Sequence, residues 1–252
     1  MERKNKLIIA ILIVAGIGIL ALAWGTFLGG PNLNDGNRTI LVLGVDKGEQ
    51  PGLGGLDMAF LIYMQNGEIK KYEPVYPGQM RHPTQPAPNN IYSGTMRLHD
   101  SLWSNHKEGT PEYDRDVRQG MEYAKETVAA ETGVKADAVV AVTNVGLDAI
   151  LDSIRPFKVN GEVSDLDSTS IIRENDNYSG YKGSSNSKGT MSRGDAVMVL
   201  IKAITQAATD PSKKNTMIKA ALDEYNKGTI IMEPQGSFMG LLASKGLESL
   251  TS

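Results

Sequence analysis

The chain contains no cysteine, so disulfides and thiol chemistry are excluded outright and its core must hold by packing alone. It also lacks a surplus of positive charge: 26 Lys and Arg stand against 29 Asp and Glu, a formal net charge of −3. Duplex nucleic acid calls for a basic face, so phosphate recognition here must come from a local cluster working against the global charge. No phosphate-binding Walker A pattern and no Gly-x-Ser-x-Gly nucleophile elbow occurs. The glycines of Gly52-Leu53-Gly54-Gly55 precede an apolar strand-like run rather than a helix, which removes a dinucleotide site. Histidine is scarce too. His82, His99 and His106 sit in polar loop contexts without the short spacings of zinc motifs, and are expected to be exposed loop residues.

Charge is missing where its absence matters most. Met1 to Lys6 carries Arg3, Lys4 and Lys6 against Glu2, and Leu7 to Leu28 then runs for 22 residues without a charge. At about 1.5 Å per residue this reaches roughly 33 Å, enough to cross a hydrocarbon core of about 30 Å. The basic flank comes first, so the positive-inside rule predicts a single-pass cell-membrane protein with a cytoplasmic tail over 1–6, an anchor over 7–28 and the rest outside. Cleavage after Ala21-Leu22-Ala23 is the alternative, but the run is long for a signal peptide and ends near Trp24, which suits an interface. Residues 29–37 are rich in turn formers and read as a stalk; a single domain over 38–252 follows.

Within that domain the apolar runs at 39–45 and 58–64 read as strands, and Asn66-Gly67 is a hairpin signal because both residues tolerate positive φ, so 68–76 pairs back. Residues 77–90, crowded with Pro, Asn and Gln, are expected to form a long irregular loop. Val117, Met121, Ala124 and Val128 recur at helical spacing and Gly133 stops the helix; 138–142 is a buried strand; Asn144 caps a helix through Ile154. A strand over 157–163 is followed by a polar stretch, 165–188, expected to be mobile. Ser192 with Asp195 opens a helix, a second runs through Met217, Ala221 and Tyr225 to Gly228, a strand covers 229–232, and a short helix closes the chain. The fold class is therefore α/β, a mixed β-sheet with helices on both faces (an α/β/α sandwich), preceded by one transmembrane helix.

The chemistry centres on two acids. Asp46 ends the first strand and Asp57 heads the second; antiparallel pairing brings the two carboxylates to one sheet edge beside a Gly-rich loop, where they can cage a divalent cation. Turn formation explains either Asp equally well. A distant second group shifts the balance: Arg173, and Arg193 at a helix start, flank the polar stretch and suit a phosphate or diphosphate.

Leu43-Gly44-Val45-Asp46-Lys47 with Asp57, Glu126-Thr127-Val128 leading to Thr132-Gly133 and the strand 138–142, and the Arg173 and Arg193 region together resemble the LytR-CpsA-Psr domain, in order over most of residues 38–210. That family transfers glycopolymers from polyprenyl diphosphate carriers to cell-wall glycan. The resemblance implies metal ligands at Asp46 and Asp57, substrate contacts at Lys47, Arg81, Arg173 and Arg193, and catalytic roles for Asp46, Arg81, Arg173 and Arg193. It implies Mg2+ or a similar divalent cation as cofactor. Its partners would be a membrane lipid carrying a polyprenyl (pyro)phosphate glycan and an envelope glycan acceptor, with no nucleic acid. Departures mark a divergent branch, of a kind an archaeal lineage could carry: Lys47 replaces a frequent Arg, Arg81 is displaced behind Tyr76-Pro77-Gly78-Gln79-Met80, and Arg193-Gly194-Asp195 stands where an Arg-Gln pair is usual. A non-catalytic envelope scaffold, requiring neither acid, is the alternative.

Overall fold

The structure is a computed structural model and describes residues 30–177, 189–235 and 237. The expected anchor over 7–28 and most of the expected closing helix lie outside the described residues. Among the described residues no helix is long and apolar enough to cross a membrane. The chain divides into two compact units, one over 144–226 and the other over 30–143 with the segment from Lys227 on.

The second of these units is built on a five-stranded mixed sheet. Its strands are β1 (Asn37–Asp46), β2 (Gly55–Gln65), β3 (Glu68–Val75), β6 (Ala138–Thr143) and β9 (Ile230–Glu233), in the order β3-β2-β1-β6-β9. β1 pairs antiparallel with β2 and parallel with β6, and β9 runs antiparallel to β6. Asn66 and Gly67 take φ of 51° and 73°, so the two-residue turn between β2 and β3 follows from residues that tolerate this conformation. Side chains alternate along β1, with Leu41, Leu43 and Val45 on one face and Ile40 and Val42 on the other, and all five are buried. Every residue of β6 is buried as well, the pattern of a strand covered on both faces.

One face is covered by helix α1 (Pro111–Thr132). Thr110 caps it by accepting a hydrogen bond from the Tyr113 N–H, Pro111 occupies the first turn, and Gly133 at φ 74° ends it. Val117, Met121, Ala124 and Val128 form its inner stripe and pack with Leu41, Leu43, Leu61 and Val139. Each large apolar side chain buried this way contributes about 1.5–3 kcal/mol relative to exposure. A register shift in the β1–β2 ladder positions the site. Gly44 lies opposite Met58 but Val45 lies opposite Leu56, so Asp57 is an extra residue, a β-bulge. Strict alternation would put Leu56 on the opposite face from Ala59 and Leu61; the bulge returns it to their cluster.

The other unit holds α2 (Asn144–Ser153), β7 (Phe157–Val159), β8 (Glu162–Ser164), α3 (Ser168–Asn175), α4 (Arg193–Ala207) and α5 (Pro211–Asn226). α3 packs on α4, α2 on α5, and α4 on β7.

Three expectations are corrected. Residues 77–90 are not wholly irregular: β4 (Arg81–Pro86) pairs with β5 (Thr95–Arg97), with Arg81 opposite Arg97. Prolines are tolerated there because this two-stranded ribbon consists of edges. The strand expected over 157–163 is a hairpin, turned at Asn160 (φ 51°) and Gly161 (φ 92°). The polar stretch from 165 contains α3, capped by the Asp167 carboxylate, which accepts from the Ser170 N–H at 2.6 Å; residues 178–188 lie outside the described set.

Candidate functional site

The β1–β2 connection folds tightly at the end of the sheet where β1 finishes and β2 begins. Asp46 lies opposite Gly55 at the end of β1, and Asp57 stands two residues further along β2. The Asp46 carboxylate accepts a hydrogen bond from the Gly48 N–H at 2.9 Å, and its carbonyl accepts from the Glu49 N–H at 3.3 Å. Asp46 thus closes a turn that presents Glu49. The loop must then pass close to its own start. Gly54, at φ 132°, lies where a Cβ would sit 2.3 Å from the Asp46 carbonyl oxygen, so only glycine fits. Gln50 Nε2 donates to the Gly54 and His99 carbonyls, and Leu53 N–H donates to the Leu102 carbonyl, fastening the loop to the segment after β5.

That segment supplies a group not anticipated from sequence. Glu49, Asp57 and His99 each offer an atom suited to a metal ion, all within 4.8 Å of one another; among the described residues this is the one such group. Asp46 is not a member of it. His99 is half-buried, its Nε2 3.3 Å from Glu49 Oε2 and its Nδ1 2.7 Å from Asp100 Oδ1. Asp100 is 1% exposed and also receives Tyr92 Oη and Arg97 Nε, each at 2.7 Å. Burial alone would raise the Asp100 pKa, but hydrogen bonds from His99, Arg97 and Tyr92 outweigh it and hold the carboxyl at about 2. The hydrogen bond to Asp100 raises the pKa of His99 against the opposing effect of burial, and Glu49 adds to the rise. An ionised carboxylate only accepts, so His99 donates from Nδ1 and turns Nε2 toward Glu49.

The remaining anticipated residues have defined partners. Lys47 pairs with Glu108 at 2.7 Å. Arg81 donates to the Thr95 carbonyl at 2.8 Å and lies over the Tyr92 ring, which Arg97 also covers with its guanidinium 4.4 Å from the centroid. Arg81 and Arg97 therefore both approach one aromatic ring beside the acid–imidazole cluster. In the unit over 144–226, reciprocal hydrogen bonds between 175–177 and Met191 join the end of α3 to the start of α4. The segments bearing Arg173 and Arg193 are thereby brought together, and Arg193 lies 3.6 Å from the fully buried Asp176 carboxylate. Of the histidines, only His106 fits the exposed-loop expectation. His82 is 4% exposed: Nε2 contacts Glu126 at 2.7 Å, and Nδ1 accepts from the Thr84 and Gln85 N–H groups.

The donor set suits a divalent cation. Two carboxylates supply hard oxygen and negative charge, and the imidazole supplies a borderline nitrogen. A Cβ on Gly55 would lie 2.7 Å from Glu49 Oε2 and 2.9 Å from His99 Nε2, so glycine is what leaves room between these ligand atoms. Sequence reasoning found Asp57 and passed over Glu49, His99, Asp100 and Arg97. The available signal was Arg97-Leu98-His99-Asp100, an imidazole flanked by an acid and a nearby cation, while the closeness of Glu49 depends on how the loop folds.

A family model described as "Protein of unknown function (DUF4012)" matches residues 35–178. No curated protein matches the chain. Among solved structures, protein gbs0355 from Streptococcus agalactiae aligns over 86% of this chain and 75% of its own at 13% identity with a TM-score of 0.51, which shows a shared fold. TagV of B. subtilis aligns over 86% of this chain and 82% of its own at 12% identity with a TM-score of 0.47.

Proposed function

The chain belongs to the DUF4012 family, proteins of unknown function, and from that premise we propose that it is a membrane-anchored, outward-facing α/β/α domain acting on a polyprenyl (pyro)phosphate-linked glycan. It moves the glycan or phosphoglycan onto a cell-wall or envelope acceptor. The observation that carries the reading is the gathering of Asp46, Lys47 and Asp57, the residues of the LytR-CpsA-Psr resemblance, at one sheet edge beside an acid–imidazole cluster. The fold shared with the S. agalactiae structure is compatible with it.

In this reading an acceptor hydroxyl attacks the phosphorus that bears the glycan. A new P–O bond forms, the bond to the polyprenyl phosphate breaks, the hydroxyl proton passes to solvent water, and polyprenyl phosphate departs with the electron pair. Asp57 and its neighbours at the acidic site would hold a divalent cation, which would supply neutralisation of charge developing on the leaving phosphate. The protein contributes position: Asp46 and the glycines fix the loop, and Lys47 and Arg81 supply positive charge. Arg173 and Arg193 enter as diphosphate-binding residues on the resemblance alone. Lys47 and Arg81 now engage Glu108 and the Thr95 carbonyl, contacts that a diphosphate oxygen would replace.

The test is binding of a polyprenyl diphosphate in detergent micelles to the full chain, with and without EDTA. Wild type is expected to bind only with a divalent cation present, and Asp57→Asn to bind at least tenfold more weakly. Equal, EDTA-resistant binding by wild type and by an Asp46→Asn/Asp57→Asn double variant overturns the reading and leaves the scaffold alternative.

A further inference from the structure

The resemblance points to Asp46 and Asp57 as a hard, all-oxygen pair suited to Mg2+, yet Asp57 is grouped with an imidazole and a different carboxylate. We propose that Glu49, Asp57 and His99 form a mixed nitrogen–oxygen site for a first-row transition ion, with Mn2+ the probe ion, and that Asp100 is the positioning residue that aims His99.

Four observations converge on this site. The first is the donor set. Imidazole suits iron, nickel, copper and zinc and is a poor ligand for magnesium and calcium, so one histidine beside two carboxylates moves preference toward the transition series. Ligands about 2.1 Å from a common ion lie roughly 3–4 Å apart, so atoms already within 4.8 Å need close only slightly. The second is the orientation of the imidazole. Asp100 is buried, accepts from three side chains and takes the Nδ1 proton of His99 in a hydrogen bond, which fixes the ring and leaves Nε2 directed at the carboxylates. A histidine ligand with its far nitrogen hydrogen-bonded to a carboxylate is the usual arrangement around protein-bound metals.

The third is the bulge. Asp57 is the extra residue in the β1–β2 ladder, and such residues re-aim a side chain at a strand end. The fourth is Gly55, where any side chain would enter the space between Glu49 and His99. Asp46 then acts at one remove from the ion, since its hydrogen bonds from the Gly48 and Glu49 N–H groups hold the turn that brings Glu49 to the site.

This assignment concerns the metal alone and stands or falls without any lipid. Titration of the full chain in detergent with MnCl2, and separately with MgCl2, read by calorimetry and by electron paramagnetic resonance, decides it. One Mn2+ per chain is expected, bound at least tenfold more tightly than Mg2+, with nitrogen coupling in the pulsed resonance spectrum. His99→Gln should lose the nitrogen coupling and weaken Mn2+ at least tenfold while changing Mg2+ less than threefold; Glu49→Gln, on an exposed side chain that leaves the fold intact, should weaken both ions. Circular dichroism checks that each variant is folded. Wild type without nitrogen coupling, or His99→Gln binding Mn2+ as wild type does, overturns the assignment. Either result leaves cation-dependent lipid binding open to its own assay.

Discussion

Asp100 shows how one residue organises the site. Its carboxylate is fully withdrawn from water, and three donors, Tyr92, Arg97 and His99, compensate it. A folded pKa of about 2 lies below the ordinary 3.8, so ionised Asp100 adds stability that is complete above the ordinary value and is lost as pH falls toward 2. At 1.36 kcal/mol per unit the contribution is about 2 kcal/mol. Asp100→Asn is therefore expected to lower unfolding stability by about 2 kcal/mol or more at pH 7, since Arg97 also loses its partner. The difference from wild type should shrink between pH 4 and pH 2.5 in urea titrations. A difference that stays constant over that range would place the carboxylate in its ordinary ionisation.

At the scale of elements, α1 is held to the segment after β5 by a missing side chain. A Cβ on Gly120 would lie 2.1 Å from the Ser101 carbonyl oxygen, too close for any rotamer to relieve. Alanine is the better helix former by about 1 kcal/mol, but overpacking of this kind costs about 1–3 kcal/mol and the contact is with backbone. Gly120→Ala is expected to lower the urea midpoint and, because Ser101 adjoins Asp100, to weaken Mn2+ binding. A raised midpoint would show that α1 can move away freely.

The elements also show what could be read in advance. Asn66-Gly67 announced its hairpin because a long apolar run, Met58 to Met64, leads into it, whereas Asn160-Gly161 makes the same turn between three-residue strands whose exposed positions hide any alternation. α1, β6 and α4 were legible from apolar periodicity and caps. β4 was not, since its pairing is with β5 across a turn and its composition, Arg81-His82-Pro83-Thr84-Gln85-Pro86, opposes regular strand. α3 was hidden because it buries few side chains, Ser168 and Ile171 among them. For the site, Asp46 and Asp57 were readable as strand-end acids. Glu49 and His99 lie 50 residues apart in sequence and meet only because Gly54 and Gly55 let the loop fold onto the segment after β5.

For the whole molecule, the proposed function joins an anchored chain, a mixed α/β fold and an acidic edge that holds a cation for a lipid-linked diphosphate. In that reading the cation would offset the repulsion a diphosphate meets on approaching two carboxylates, alongside the positive charge of Lys47 and Arg81. The most direct measurement is mass spectrometry of lipids that co-purify with the full chain from the detergent-extracted membrane fraction of cells that produce it. Polyprenyl phosphate or diphosphate glycans enriched with wild type and lost with Asp57→Asn are the predicted result. Bulk phospholipid alone, in equal amounts with both proteins, would contradict the proposed function.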